Sequence, residues 1–256
     1  MKIITSTSNQ IAKYIRSLTL KKVRDTIGTF IVEGEKFISE VAAPWEIELV
    51  VASESFAIDN YTDRYANMQL HIASDHVFSS ISDVKQPQGL LAVVRQRQFA
   101  LDGMLTTKNP LLLLLEDMQD PGNLGTILRI AHGLGADGII MSPNCADIYS
   151  PKVVRSSAGS IFHVPFATAH LPNAINALKS REIRIYAAMS DAKHNLHQQD
   201  FRNGTAFLIG NEANGLSRDI AALADDVVSI PVQSESLNAS VACGILVYET
   251  MRQRNG

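Results

Sequence analysis

Apolar and polar positions along the chain change period several times, and the changes mark out two α/β regions. Near the start, Ile11, Ile15 and Leu18 recur at helical spacing and predict one helix over roughly 8–24. "TFIVEG" (29–34) reads as a strand, residues 35–42 as a helix, and "IELVVAS" (47–53) and "QLHIAS" (69–74) as strands. Residues 75–82 predict a short helix capped by Ser74 or Asp75, and "GLLAVVRQ" (89–96) a strand introduced by the turn-forming "KQPQG". Residues 95–110 have no strong period and predict a connection between domains, with Phe99, Leu101, Met104 and Leu105 available to dock on one of them.

Beyond this point the alternation is clearer. "LLLLLEDM" (111–118) is apolar at successive positions, as expected of a strand covered on both faces. Helices are predicted over 124–135, 151–158, 172–181 and 236–254, and strands over 137–143, 184–190, 204–210 and 226–231. Strand and helix taking turns in this way predict an α/β fold with a mostly parallel sheet flanked by helices. The domain reading is 1–96, a linker over 97–108, and 109–256.

Composition narrows the class without naming it. The 256 residues are 46% hydrophobic and 19% charged, ordinary values for a globular chain with a sizeable core. The longest apolar run, Leu111 to Leu115, is too short to cross a bilayer, and the opening "MKIITSTSNQ" has no apolar signal core, so a cytoplasmic location is expected. Two cysteines, Cys145 and Cys243, make neither a disulfide framework nor a metal-ligand spacing, and Cys243 sits in an apolar helical pattern as a small buried hydrophobe. His194 and His197 lie near Asp191 but supply too few ligands for a metal, and none is expected. His132 is expected to serve in surface packing. The net charge is −3, yet residues 1–24 carry Lys2, Lys13, Arg16, Lys21, Lys22 and Arg24 with no acidic residue. Charge alone leaves this segment open between a solvated helix face and a polyanion contact.

Three loops carry unusual chemistry, and each follows a predicted strand. In open α/β sheets, ligands bind beyond the carboxyl ends of the strands. In "QDPGNLGTILRIA" (119–131), Asp120-Pro121-Gly122 is a turn and Asn123 is placed to cap the next helix. Leu124, Ile127, Leu128, Ala131 and Leu134 form that helix's buried stripe, and Arg129 falls outside it. In "LIGNEANGLS" (208–217), two glycines enclose two amides and a carboxylate. In "SIPVQSESLNASVACGI" (229–245), Ser236 can cap the last helix with Asn238 in its first turn. Each loop alone reads as an ordinary cap or turn. No glycine fingerprint of dinucleotide-binding or P-loop proteins occurs, which removes the usual support for those readings, a small-molecule dehydrogenase among them.

Taken in order, the three loops resemble the three motifs of the SpoU (TrmH-type) RNA 2′-O-ribose methyltransferases of the SPOUT superfamily: "DPGNLGTILRIA", "LIGNEANGLS" and "IPVQSESLNASVACGILVYE". The intervening "YSPKVVRSSAGSIFHVP" (149–165) resembles the family too. "ITSTSNQIAKYIRSLTLKKVRDTIGTFIVEGEKFISEV" and "QPQGLLAVV" resemble its small substrate-binding domain. The resemblance implies a C-terminal SPOUT domain with a deep trefoil knot, a small N-terminal α/β (L30e-like) domain, and S-adenosylmethionine bound bent in the knotted loops without metal. It further implies a homodimer with each active site at the subunit interface. Gly210 would border the adenosine pocket, Asn211 and Glu212 would hold the crossing segments, Gly215 would let the chain turn back, and Ile230, Leu237 and Met189 would contact the cofactor.

The same resemblance assigns the central catalytic role to Arg129, reaching the other subunit's cofactor, with Asn123, Glu212, Ser236 and Asn238 positioning the reacting groups. A guanidinium is very hard to deprotonate, so general base, phosphate binding and stabilisation of oxyanion charge all stay open for Arg129. RNA contacts fall to Arg16, Lys21, Lys22 and Arg24 at the start and to Arg155, with Lys152, in "SPKVVR". Ribosomal RNA stands ahead of transfer RNA as substrate. The four residues "VQSE" depart from the longer, glycine-containing loop common in the family, which keeps a second reading alive: an RNA-binding or ribosome-assembly homologue without turnover.

Overall fold

A computed structural model of the chain describes residues 3–59, 65, 67–190, 194–233 and 237–256. In chain order the elements of the first part are α1 (Gln10–Ser17), α2 (Lys21–Ile27), β1 (Thr29–Glu33), α3 (Glu35–Ser39), β2 (Ile47–Ser53), α4 (Glu54–Asp59), β3 (Leu70–Ala73), α5 (Asp75–Ile81) and β4 (Leu90–Arg95). Then come β5 (Leu111–Leu115), α6 (Pro121–Leu134), β6 (Gly138–Met141), α7 (Pro151–Ser156), β7 (Phe166–Thr168), α8 (Leu171–Lys179) and β8 (Arg184–Ala188). The chain closes with β9 (His194–Asn195), β10 (Thr205–Ile209), α9 (Arg218–Ala221), β11 (Asp226–Ser229) and α10 (Ala239–Asn255). They form two compact units: residues 1–97 with 147–162, and residues 98–146 with 163–256.

The first unit is built on a four-stranded sheet of order β1-β4-β2-β3, with β4 antiparallel to both its neighbours and β3 parallel to β2. Strand periodicity sends alternate side chains to opposite faces. Ile31, Leu49, Val51, Leu91 and Val93 join Ile15 and Leu18 of the N-terminal segment and Val77, Phe78 and Ile81 of α5 in one apolar cluster. Phe30 instead meets Trp45, Tyr149 and Phe162, with ring centroids 4.7–6.3 Å apart. Each such side chain contributes about 1.5–3 kcal/mol by leaving water.

The single helix expected over 8–24 is two helices. Ser17 Oγ donates to the Tyr14 carbonyl (2.6 Å) and Thr19 Oγ1 to the Arg16 carbonyl (2.8 Å), and Leu20 is extended. These hydroxyls offer the backbone an alternative to continued helix. Leu18, the last residue of the apolar face that Ile11 and Ile15 begin, is fully buried at the break.

The second unit holds a seven-stranded sheet of order β7-β6-β5-β10-β8-β11-β9 in which every adjacent pair is parallel. Strands β5 and β10 lie side by side at its centre and are buried throughout. Leu112, Leu114, Ile140, Ala206 and Leu208 pack with Leu171, Ile175 and Leu178 of α8. Met104, Phe99, Leu101 and Leu105 from the aperiodic stretch dock on this cluster. A Cβ on Gly138 would lie 2.7 Å from the Met104 sulfur, so this glycine makes the room. Phe207 faces a separate group with Tyr186 and Phe201, and α6 and α10 pack on each other.

Candidate functional site

Four adjacent strands of the parallel sheet, β5, β10, β8 and β11, end at the same edge, and the chemistry lies just past those ends. Helix α6 begins earlier than the spacing predicted. Pro121 takes its first position, where a missing N–H costs nothing, and Asp120 rather than Asn123 is the cap, its Oδ1 accepting from Asn123 N at 2.8 Å. Asn123 therefore sits inside the first turn with its amide directed elsewhere. Likewise Asn238 rather than Ser236 caps α10, its Oδ1 accepting from Ser240 N (2.9 Å) and Val241 N (3.3 Å). Ser236 lies outside the described residues, as do Lys2, Asp191, and Ser234 and Glu235 of "VQSE".

The loop after β10 closes on itself. Asn211 and Gly215 exchange backbone hydrogen bonds of 3.1 and 2.9 Å, and Gly215 turns the chain with φ +66°. A Cβ on Gly210 would lie 2.1 Å from the Gly215 carbonyl carbon. Gly210 is therefore demanded by the loop's own return path, a use of glycine distinct from the close ligand approach expected at this position. Asn211 Oδ1 accepts from Ala213 N and Asn214 N, while its Nδ2 donates to the Asp117 carbonyl at 2.7 Å.

Glu212 ties this loop to the first one. Its carboxylate accepts from Gln119 N (3.1 Å), Asp120 N (3.0 Å) and Asn123 Nδ2 (3.0 Å). Burial alone would raise this carboxyl; the hydrogen bonds from Asn123 and from the 119–120 backbone outweigh it and hold the group below its ordinary value. Asn123 Oδ1 in turn accepts from Asn238 Nδ2 (3.0 Å) and Ser240 Oγ (3.3 Å). One chain of hydrogen bonds, Glu212–Asn123–Asn238, thus joins three loops, although Asn123 and Asn238 are 115 positions apart in sequence.

Beside this network lies a cavity of about 350 Å³, within the range of small-molecule sites. Met189, Gly210, Asn211, Ile230 and Leu237, the five residues assigned to the cofactor, all line it, as does Glu212. Val228, Leu216 and Ala242 add apolar wall, and Ser190 a hydroxyl. Asn123 and Asn238 are not in the lining and reach it through Glu212. Among the described residues no group of His, Cys, Asp and Glu could hold a metal ion.

Arg129 stands apart. It is exposed on α6, absent from the cavity lining, and without a hydrogen bond or ion pair among the described residues. Three positions on, His132 stacks on His163 with centroids 4.3 Å apart.

The expected RNA contacts divide sharply. Lys22 is exposed, Lys21 is exposed and paired with Asp25 at 2.6 Å, and Arg16 is half-buried and donates to the Thr7 carbonyl. Arg155 pairs with Asp83 at 2.6 Å and stays partly exposed. Arg24 is a correction: only 3% exposed, its guanidinium is bonded to Asp147 and to the Leu18 carbonyl (2.6 Å), so it is a structural cation of the first unit with no face for phosphate. The sequence reading missed Glu116, Asp120, Ser217 and Ser240. The signal for Asp120 was its place before Pro121, and for Ser217 its place three residues before buried Ile220, a cap pattern.

A parallel α/β sheet with polar loops converging on a cavity at its carboxyl edge defines the class of α/β proteins that bind a small ligand beyond their strand ends. Comparison with known proteins gives the family. Residues 110–248 match the SpoU rRNA Methylase family and residues 9–92 the MRM3-like substrate binding domain, and the chain belongs to the SpoU rRNA methylase family. It is 30% identical over 251 residues to the 23S rRNA (guanosine(2553)-2'-O)-methyltransferase RlmP of Bacillus subtilis, covering 97% of this chain and 98% of that protein. It is 30% identical over 264 residues to the 23S rRNA (uridine(2479)-2'-O)-methyltransferase of Streptomyces viridochromogenes, covering 98% and 92%. The crystal structure of the SpoU methyltransferase AviRb from Streptomyces viridochromogenes in complex with AdoMet superposes with a TM-score of 0.89 at 28% identity, covering 97% of this chain and 99% of that one.

Proposed function

We propose that this protein transfers a methyl group from S-adenosylmethionine to a ribose 2′-hydroxyl of 23S ribosomal RNA. The observation that carries the reading is the cavity shared by Met189, Gly210, Asn211, Ile230 and Leu237, drawn from the ends of three adjacent strands, β10, β8 and β11, and from the turn before α10. Its chemistry suits the donor. Apolar Val228, Ile230 and Leu237 provide a surface for a flat purine and exclude water, while Glu212 adds a negative charge to the lining of a site for a cationic ligand. Relatives named for 23S rRNA ribose methylation and an AdoMet-bound neighbour support both substrates. Those two relatives are named for a guanosine and a uridine, so their names leave the target base of this chain open between them.

When bound, the donor supplies a methyl group made electrophilic by positive sulfur. The protein's own work is to align the ribose oxygen and to stabilise the charge that develops on it. Glu212, Asn123 and Asn238 hold the three loops in register, and Ser236 belongs to the same motif. Arg129 lies outside the lining of its own cavity and serves the cavity of a second copy in a homodimer. There its permanent charge fits the target phosphate or the developing oxyanion better than proton removal. In this reading the 210–217 loop and Ile230 belong to a trefoil knot of the kind the family resemblance implies, and the protein acts in the cytoplasm. No helix among the described residues is long and apolar enough to cross a membrane. RNA is held by the first unit, which matches a substrate-binding domain, through Arg16, Lys21, Lys22 and Arg155.

Mapping of 2′-O-methylation across total RNA, with and without the protein, tests the proposal. One ribose in 23S rRNA methylated only when the protein is present is expected. Identical maps would overturn the assignment, and a new mark on transfer RNA would replace its substrate.

A further inference from the structure

The cavity loop is held by a residue to which the motif chemistry gives no role. Glu116 follows the last residue of β5 and extends the ladder by one step, its N–H donating to the Ile209 carbonyl at 2.9 Å. That register puts its side chain beside the start of the 210–217 loop. Its two carboxylate oxygens are each taken by Ser217: Oε2 accepts from Ser217 N at 2.7 Å and Oε1 from Ser217 Oγ at 2.6 Å. Bonds to an ionised acceptor are stronger than neutral ones. The next residue, Asp117, takes the other end of the same loop through the 2.7 Å bond from Asn211 Nδ2 to its carbonyl. Two consecutive residues at one strand end therefore grip both ends of the loop.

Gly210 adds a second observation. Its φ is not positive, so backbone conformation does not require glycine there. Space does: the returning chain passes where a Cβ would be, 2.1 Å from the Gly215 carbonyl carbon and 2.2 Å from Leu216 N. The chain is pressed against Gly210 where Ser217 reaches Glu116. Between the two lies Leu216, which lines the cavity and also packs against the core beneath α8. Glu116 itself is not in the lining.

We infer that Glu116 is a positioning residue for the methyl donor: by fixing Ser217 it sets Leu216 and the 211–215 wall at the spacing the donor needs. The inference rests on the proposed function. Donor affinity should depend on the latch while the transfer step, made by other groups, should not.

The test compares wild type with Glu116→Ala, Glu116→Gln, Ser217→Ala, Ser217→Thr and the double alanine variant. The readouts are calorimetric S-adenosylmethionine binding, KM for the donor against kcat, and amide exchange at residue 217. Losing a charge-assisted pair predicts a Kd and a donor KM about tenfold higher for Glu116→Ala, with kcat within about twofold. Glu116→Gln keeps one acceptor oxygen and should fall between, which also covers an alanine variant that fails to fold. Ser217→Thr keeps both donors and should bind like wild type. The penalties of Glu116→Ala and Ser217→Ala on donor affinity should combine to less than their sum in the double variant, because the two side chains share one hydrogen bond. Exchange at residue 217 should quicken in both Glu116 variants.

Unchanged donor affinity in Glu116→Ala and Glu116→Gln, or alanine penalties that simply add, would overturn the latch. A wild type that bound no donor at millimolar concentration would instead overturn the functional reading beneath it.

Discussion

The two units spend their polar residues differently, and two arginines make the contrast plain. Arg24 of the first unit is buried on α2, with Asp147 and the Leu18 carbonyl as partners, and it ties the start of the 147–162 segment to the end of α1 and to α2. Arg129 of the second unit is exposed on α6, with no partner among the described residues. In the first unit, then, charge deep in the fold is paired and structural. In the second, the polar groups of the motifs gather at one edge of a parallel sheet, where β5, β10, β8 and β11 end together and a carboxylate–amide chain meets a cavity at Glu212. What separates the two cases in the structure is a partner, present for Arg24 and absent for Arg129 among the described residues.

Breaking each arginine in turn should give opposite failures. Arg129→Ala should lower methyl transfer at least about hundredfold, the scale of losing one donor to transition-state charge, while calorimetric donor binding and melting temperature stay near wild type. Normal turnover in that variant would end its proposed role. Arg24→Ala should do the reverse. Removing one partner of a buried pair strands Asp147 and costs about 3 kcal/mol, read by denaturant unfolding, with less effect on catalysis. Arg24→Met, which fills the space but cannot bond, should lose nearly as much.

Smaller effects sharpen the contrast. Replacing Arg16, Lys21 and Lys22 together by Gln should weaken RNA binding and flatten its salt dependence, by roughly 0.7–0.9 in slope for each phosphate left without its cation. Adding Arg24→Gln should not flatten it further. The smallest effect concerns acid stability. Hydrogen bonds from the Arg252 guanidinium lower the Glu249 carboxyl from 4.5 to about 2. A carboxyl depressed by folding contributes stability that is fully present above its unfolded value and lost as pH falls through its folded one. Glu249→Gln should therefore flatten the decline in melting temperature between about pH 5 and pH 2 and leave the neutral-pH shape unaltered. Glu212, also depressed, shares that sign.

Most elements of the second unit were legible because short apolar runs such as Leu111–Leu115 and Ala206–Ile209, bounded by polar loops, read as buried strands. The three loops were legible as motifs only together and through their resemblance to a known family, since Asp-Pro-Gly, paired glycines and clustered amides taken singly are ordinary caps and turns. What the sequence hid depends on distant partners. The apolar spacing of Ile11, Ile15 and Leu18 stops there, since the next two positions on that face, 21 and 22, are lysines; read as a basic helix face, that gap concealed the break at Leu18–Leu20. Arg24 looked like Lys21 and Lys22, and only Asp147, 123 positions away, distinguishes it. Asn123 and Ser236 were plausible caps, but Asp120 and Asn238 hold those places because Pro121 and the turn before α10 set the starts. Glu116 was absorbed into a strand reading although its side chain works in the adjacent loop.

The most direct measurement of the central claim is a calorimetric titration of S-adenosylmethionine into wild type and into Leu237→Trp, whose indole would fill the cavity from its wall. Donor binding by wild type and its loss in Leu237→Trp, at equal melting temperatures, is the predicted result. A wild type that binds no donor, or a filled cavity that binds it as tightly as before, would contradict the account.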